Sequence, residues 1–271
     1  MEKQINRVVL VTGASSGIGL ACATHLAQHG YRVYGTSRRV THSQGDVTML
    51  RADVTDDDSV KGLVAEILAR EQRLDIVVNN AGMGIAGPVE DTSIEEARRQ
   101  LEVNFFGAFR VCRAALPAMR NQGGGYLVNI GSIGGLVAIP YQAMYSASKF
   151  ALEGFSESLR MEVNPFGIRV VIIEPGDHKT AITENRRLAE TSGSPYSSSF
   201  NAAIAKTAHD EQSGPSPEQI ARLLHRIVNL PNPRLRYTIG PAPQRAVVWL
   251  KRLAPNSFLE YVMRTYYGLG G

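Results

Sequence analysis

Cysteine is scarce: the chain has two, Cys22 and Cys112, among 271 residues. Both fall inside apolar helical patterns, so they are expected as buried free thiols rather than a disulfide framework. That usage favours a reducing compartment, and a cytoplasmic location is expected. Charge of one sign is also scarce. Lys and Arg total 29 against 25 Asp and Glu, a net +4. No basic run or recognised motif accompanies the surplus, so nucleic acid is not an expected partner. No long apolar run is present. The uncharged stretch 121–148 is broken by glycines, serines, Asn129, Pro140 and Gln142, whereas a spanning helix needs about 20 predominantly apolar residues. The opening MEKQINRVVLVTG enters a strand almost at once, and no signal peptide is expected. The six histidines show no zinc-site spacing, so no metal is expected. Neither a linker nor a fixed-period repeat appears, and 1–271 reads as one domain.

What is present is alternation. Short β-rich runs (7–13, 31–38, 47–54, 74–82, 126–132, 168–176 and 235–240) are separated by helical patterns. Asp56 to Gln72 reads as an amphipathic helix with acids in its first turn. Ser93 with Glu96 reads as a capping box opening a helix to about Arg120. A further helix runs from about Ala143 to Val163 and stops near Pro165, and Ser216-Pro217-Glu218-Gln219 starts another. Near-continuously apolar strands alternating with helices imply an α/β fold, a doubly wound Rossmann-type parallel sheet covered on both faces.

The first turn reads TGASSGIG, Thr12 to Gly19. Gly13, Gly17 and Gly19 sit between strand and helix, where backbone can approach a pyrophosphate and the helix N-terminus favours its charge. The second strand ends Ser37-Arg38-Arg39, with no acid. In YSASK, Tyr145 and Lys149 are one helical turn apart and share a face. A free phenol has a pKa near about 10, and a nearby ammonium favours its ionised form.

The Gly-x-x-x-Gly-x-Gly spacing, NNAG at 79–82 and Tyr145-x-x-x-Lys149, in that order, resemble the short-chain dehydrogenase/reductase family over roughly residues 5–180. The resemblance implies a nicotinamide cofactor held by Gly13, Ser15, Ser16, Gly17, Ile18 and Gly19. It places Asp53 and Val54 at the adenine, Asn80, Ala81 and Gly82 along the cofactor, and Pro175, Gly176 and Thr180 at the nicotinamide. Tyr145 becomes the general acid/base, Ser132 the group bonding the substrate oxygen, Lys149 a ribose ligand and Asn104 the holder of a relay water. Members that use NAD commonly carry an acid at the end of the second strand. Ser37 and Arg38 there point to NADP(H), although Ser16 stands where many NADP users have a second basic residue. Asp177-His178-Lys179 departs from the commoner Pro-Val, and His178 and Lys179 are given no role.

Substrate identity is expected to lie in 181–215, read as a long polar loop covering the site, and in the tail 241–271. The tail sets Trp249, Leu250, Leu253, Phe258, Leu259, Val262, Met263 and Tyr266 at helical spacing. Core packing, a cover over the pocket, a subunit contact and a membrane-surface helix all fit that face. The helix beginning YSASKFALEGFSESLR is similar to those of hydroxysteroid and retinol dehydrogenases. The expectation is therefore an NADP(H)-dependent oxidoreductase interconverting a lipophilic ketone or aldehyde and an alcohol, in a dimer or tetramer. The alternatives are an NADP(H)-sensing regulator without turnover and a sugar-nucleotide epimerase or dehydratase.

Overall fold

The computed structural model describes residues 7–39, 45–180 and 182–269. The extreme ends of the expected domain and tail, and residue 181 of the expected loop, lie outside these. The elements in order are β1 (Val8–Val11), α1 (Gly17–Gln28), β2 (Arg32–Ser37), β3 (Val47–Arg51), α2 (Asp57–Glu71), β4 (Ile76–Asn79) and β5 (Ile85–Ala86). Then come α3 (Ile94–Leu101), α4 (Gly107–Asn121), β6 (Gly125–Ile130), α5 (Ala143–Val163), β7 (Ile168–Pro175), α6 (Ile182–Asn185) and β8 (Arg187–Leu188). The chain continues through α7 (Ser197–Ser213), α8 (Glu218–Ile227), β9 (Arg236–Ile239), α9 (Ala242–Leu253) and α10 (Asn256–Tyr266).

Seven strands form one sheet in the order β3-β2-β1-β4-β6-β7-β9. Every pairing is parallel. β1 and most of β4 and β7 are apolar because helices cover both faces. One core layer joins α1 and α8 to the sheet through Leu26, Ile220 and Leu224. The other joins α2, α4 and α5 through Ile67, Val111 and Leu159. The strand order reverses between β1 and β4, and the crevice outside their carboxyl ends is where such sheets bind ligands.

The expected helices form with their expected starts. Asp56 caps α2 by accepting from the Ser59 amide at 2.7 Å, and Ser93 and Glu96 make a reciprocal capping box at α3. The long helix beginning there is not uniform: between α3 and α4 the residues Glu102–Phe106 wind as a π turn. The expected loop 181–215 is the larger departure. It holds α6, β8 and the 17-residue α7. β8 pairs with β5 in a separate two-stranded sheet. The polar run YSSSFN disguises α7, whose buried face is Phe200, Ala203 and Thr207. No helix among the described residues is long and apolar enough to cross a membrane.

Two polar clusters lock α5 to the sheet. Asn129 of β6 accepts from Asn79 of β4 at 2.8 Å and donates to Ser156 of α5 at 2.7 Å. Arg236 of β9 bonds Glu153 of α5 at 2.9 Å and Glu157 at 2.5 Å. Removing a buried partner leaves the other groups unsatisfied, at about 1–3 kcal/mol. Asn129→Ala is therefore expected to lower the urea midpoint by a corresponding amount; an unchanged midpoint would show that this network does not stabilise the fold.

Candidate active site

At the end of β1 the chain turns through Gly13 and Gly17, both at positive φ (65° and 55°), a region that favours glycine. Ser16 caps α1 only by position: its side chain makes no cap bond, and the first turn holds no acid. The amides of that turn are thus left for an external anion. Asn80 clamps the turn, its Nδ2 donating to the Thr12 and Gly13 carbonyls at 2.9 and 3.0 Å. The amides of Asn80 and Ala81 both donate to Thr12 Oγ1 at 3.0 Å. A Cβ on Gly19 would meet Asn80 Nδ2 at 2.3 Å, so Gly19 serves this packing.

The turn forms one end of a cavity of about 780 Å³. Every residue expected at the site lines it except Gly19, which lies beneath. Ser37 and Arg38 flank it with Asp53 and Val54. Burial acts to raise the Asp53 pKa, but bonds from the Thr55 amide and hydroxyl and the charge of Arg38 hold it below the usual range.

At the other end stand Ser132, Tyr145 and Lys149. Ser132 follows β6 in extended backbone, and its Oγ accepts from the Gly134 amide at 2.9 Å. Gly135 packs under α5 so closely that a Cβ would lie 3.0 Å from Lys149 backbone atoms. Lys149 is buried, and its Nζ donates to the Ile130 carbonyl at 2.8 Å. Its ammonium lies 5.9 Å from the Tyr145 ring centroid. Burial lowers the Lys149 pKa to about 8, with Glu153 opposing.

For the phenol the structure departs from the sequence expectation. Burial dominates and pushes the Tyr145 pKa above its ordinary value, although a bond with Ser132 lowers it in part. Helical spacing brings Lys149 to the same face, but its ammonium reaches down to the sheet carbonyl instead of the phenol.

Asn104 sits in the π turn and is buried. Its Oδ1 accepts from the Met83 amide at 2.9 Å, and its Nδ2 donates to the Met83 carbonyl and Ser148 Oγ, both at 3.1 Å. Ser148 in turn donates to the Tyr145 carbonyl at 2.7 Å. Asn104 is thereby tied to the helix that carries the phenol.

Beyond Tyr145 the wall comes mostly from the two segments expected to bear on the substrate, 181–215 and the tail, but from residues that were not singled out in them, together with Asp177. Asp177, Arg186, Thr207, Glu211 and Gln244 line it. Arg186 pairs with Glu211 in a nearly buried ion pair, and Gln244 donates to Asp177. Burial is the leading cause that raises the Asp177 pKa to about 6. His178, given no role earlier, is buried, lines the cavity and donates from Nδ1 to the Gly176 carbonyl at 2.9 Å. No local motif marks these residues individually; the signals were the expected covering role of 181–215 and the tail and, for Arg186 and Glu211, charge within a segment read as polar. From the tail, Val262, Met263 and Tyr266 line the cavity, Leu259 joins a small core with Val137 and Val248, and Trp249 and Leu253 are exposed. One tail thus divides between pocket cover, core and surface.

The histidines also differ from expectation. His25 of α1 and His29, which caps that helix, meet His225 of α8, with one ligand nitrogen from each within 4.8 Å of the others. Sequence spacing hid this because α8 lies far along the chain.

Comparison with known proteins agrees with this geometry. The family described as short chain dehydrogenase matches residues 7–191. A 3-ketodihydrosphingosine reductase of Bacteroides thetaiotaomicron is 41% identical over 97% of this chain and 98% of its own. Human 17-beta-hydroxysteroid dehydrogenase type 1 is 35% identical over 85% of this chain and 76% of its own. A short-chain dehydrogenase structure from Streptomyces avermitilis superposes with a TM-score of 0.84 at 32% identity, covering 99% of this chain and 100% of that one. The fold and the uncapped, acid-free turn of α1 suit a nicotinamide dinucleotide. The chain belongs to the short-chain dehydrogenase family and is an oxidoreductase acting on a carbonyl or alcohol.

Proposed function

We propose that the protein is an NADP(H)-dependent reductase of a lipophilic ketone, of the long-chain keto-lipid kind. The observation that carries this reading is the convergence of Ser132, Tyr145 and Lys149 in a cavity whose lining also includes Val247, Val262 and Met263. Identity with the 3-ketodihydrosphingosine reductase over nearly both full lengths supports a lipid-like substrate. Support for NADP(H) comes from the end of β2, where Ser37 and Arg38 border the cavity. A guanidinium and a hydroxyl favour a 2′-phosphate, which an acid would repel.

The cofactor, when bound, supplies the hydride. The amides of the α1 turn hold its diphosphate, and Asp53, Val54 and the segment Asn80–Gly82 border the rest of the dinucleotide. Ser132 and Tyr145 donate hydrogen bonds to the substrate carbonyl oxygen, stabilising the negative charge that develops there. Tyr145 then gives its proton to that oxygen. Burial favours the protonated phenol, the form that donates in the reducing direction. Lys149, anchored on Ile130, binds the nicotinamide ribose. Asn104, tied to α5 through Ser148, positions the proton relay that recharges the tyrosine. Pro175, Gly176 and Thr180 border the nicotinamide.

Tyr145→Phe is expected to lower NADPH-dependent reduction of a long-chain ketone by roughly 10²–10⁴-fold while NADPH still binds. NADPH binding by the wild type with no ketone-dependent oxidation across steroid, retinoid and long-chain carbonyls would favour the sensor reading. One charge-assisted bond contributes about 1.5–3 kcal/mol. Arg38→Asp is thus expected to raise the KM for NADPH by roughly 10–150-fold and to leave that for NADH nearly unchanged. Equal losses with both cofactors would remove Arg38 from phosphate recognition.

A further inference from the structure

We infer that His25, His29 and His225 form a binding site for one divalent transition-metal ion of the zinc type, clipping α1 to α8. His25 lies in the last turn of α1 and His29 is the residue that caps that helix, and their rings lie side by side. α8 packs against that helix and delivers His225. Ring centroids lie 4.2 Å apart for His25 and His29, 4.4 Å for His29 and His225, and 5.3 Å for His25 and His225.

The tautomer of one ligand follows from its neighbour. His29 Nδ1 lies 2.7 Å from the His25 carbonyl. A carbonyl only accepts, so Nδ1 carries the proton and Nε2 keeps its lone pair outward. A hydrogen bond on the non-ligating nitrogen is the usual arrangement of a metal-binding histidine. Tetrahedral zinc with bonds of about 2.0–2.1 Å needs ligand nitrogens roughly 3.4 Å apart. The nitrogens here all lie within 4.8 Å of one another. Ring rotation can close the remainder, since His29 is exposed and the other two are half-buried. That exposure leaves the fourth position to water.

The surroundings of His25 and His225 favour their neutral imidazoles. Burial, then His29, His225 and Arg222, hold the His25 pKa below its ordinary value; burial and His29 do the same for His225. Neutral rings are the ligating form. Three imidazoles select a borderline metal over Mg²⁺ or Ca²⁺, which prefer oxygen. Cys22, on the same helix, is buried with its thiol pushed up to about 12 by that burial, so sulfur does not join the set. The site lies at the C-terminal end of α1, where the helix dipole favours a cation. At 1.5 Å per residue it is roughly 15 Å from the glycine turn. A bound ion would therefore hold α8 on α1 without entering the reaction.

The test uses the full chain, free of any histidine tag and stripped with EDTA, titrated with zinc chloride by calorimetry and followed by thermal unfolding. One ion per chain is expected, with Tm rising by about 5 °C at a hundredfold excess over Kd. His29→Gln and His225→Gln are each expected to weaken binding at least roughly thirtyfold, since each removes one of three ligands. His209→Gln, an exposed residue of α7 outside the cluster, is expected to bind as the wild type does. His29 is exposed, so its variant is informative even if His225→Gln folds poorly. Absence of one-to-one binding, an equal thermal shift with magnesium chloride, or undiminished affinity in His29→Gln would overturn the site.

Discussion

Lys149 extends from α5 into the protein and donates to the Ile130 carbonyl, the last residue of β6. That bond fixes the helix that carries the phenol against the edge where the strands end. All seven strands run in one direction, so their carboxyl ends share that edge. Residues from β1, β2, β4, β6 and β7 or the turns after them can therefore meet in one crevice. An ammonium in that position is costly unless its protons find acceptors. The depressed pKa of Lys149 and the elevated pKa of Tyr145 have the same cause: burial disfavours the charged form of each. The chain alone thus holds both groups closer to neutrality than their ordinary values would.

Several close contacts transmit this geometry. Gly135 lets the turn after β6 lie directly on Lys149, and Gly131 sits where a Cβ would crowd Ile172. The π turn between α3 and α4 adds the local widening that aims Asn104 at Met83 and Ser148 rather than outward. π turns inside α-helices occur often at functional positions, and this one connects the loop after β4 to the helix that carries Tyr145. Asn80 plays a comparable part at the other end of the cavity, where its amide closes the glycine turn.

The wall beyond Tyr145 has a different character. Asp177, Arg186 and Glu211 bring charge close to the phenol, and all three influence its ionisation. Val262 and Met263 of α10 add an apolar surface. A pocket that joins buried charge to an apolar tail segment suits an amphipathic molecule better than a small uniformly polar one.

The sequence by itself determined the parallel α/β sheet, the order of its seven strands along the chain, and the motifs at the two ends of the cavity. These are local signals: apolar strands, glycines at a strand–helix turn, a capping box, and a Tyr–Lys pair one helical turn apart; the remaining site residues, Ser132 and Asn104 among them, came from the family resemblance those motifs carry. It did not disclose α7, because a serine-rich start reads as a loop until Phe200 and Ala203 find the core that buries them. Nor did it disclose the division of the tail, since one apolar helical face suits several partners equally. Only the tertiary structure decided where the Lys149 ammonium points, which charges stand beside Tyr145, and that His225 meets His25 and His29. Each of those depends on which element packs against which, a long-range outcome that no spacing along the chain encodes.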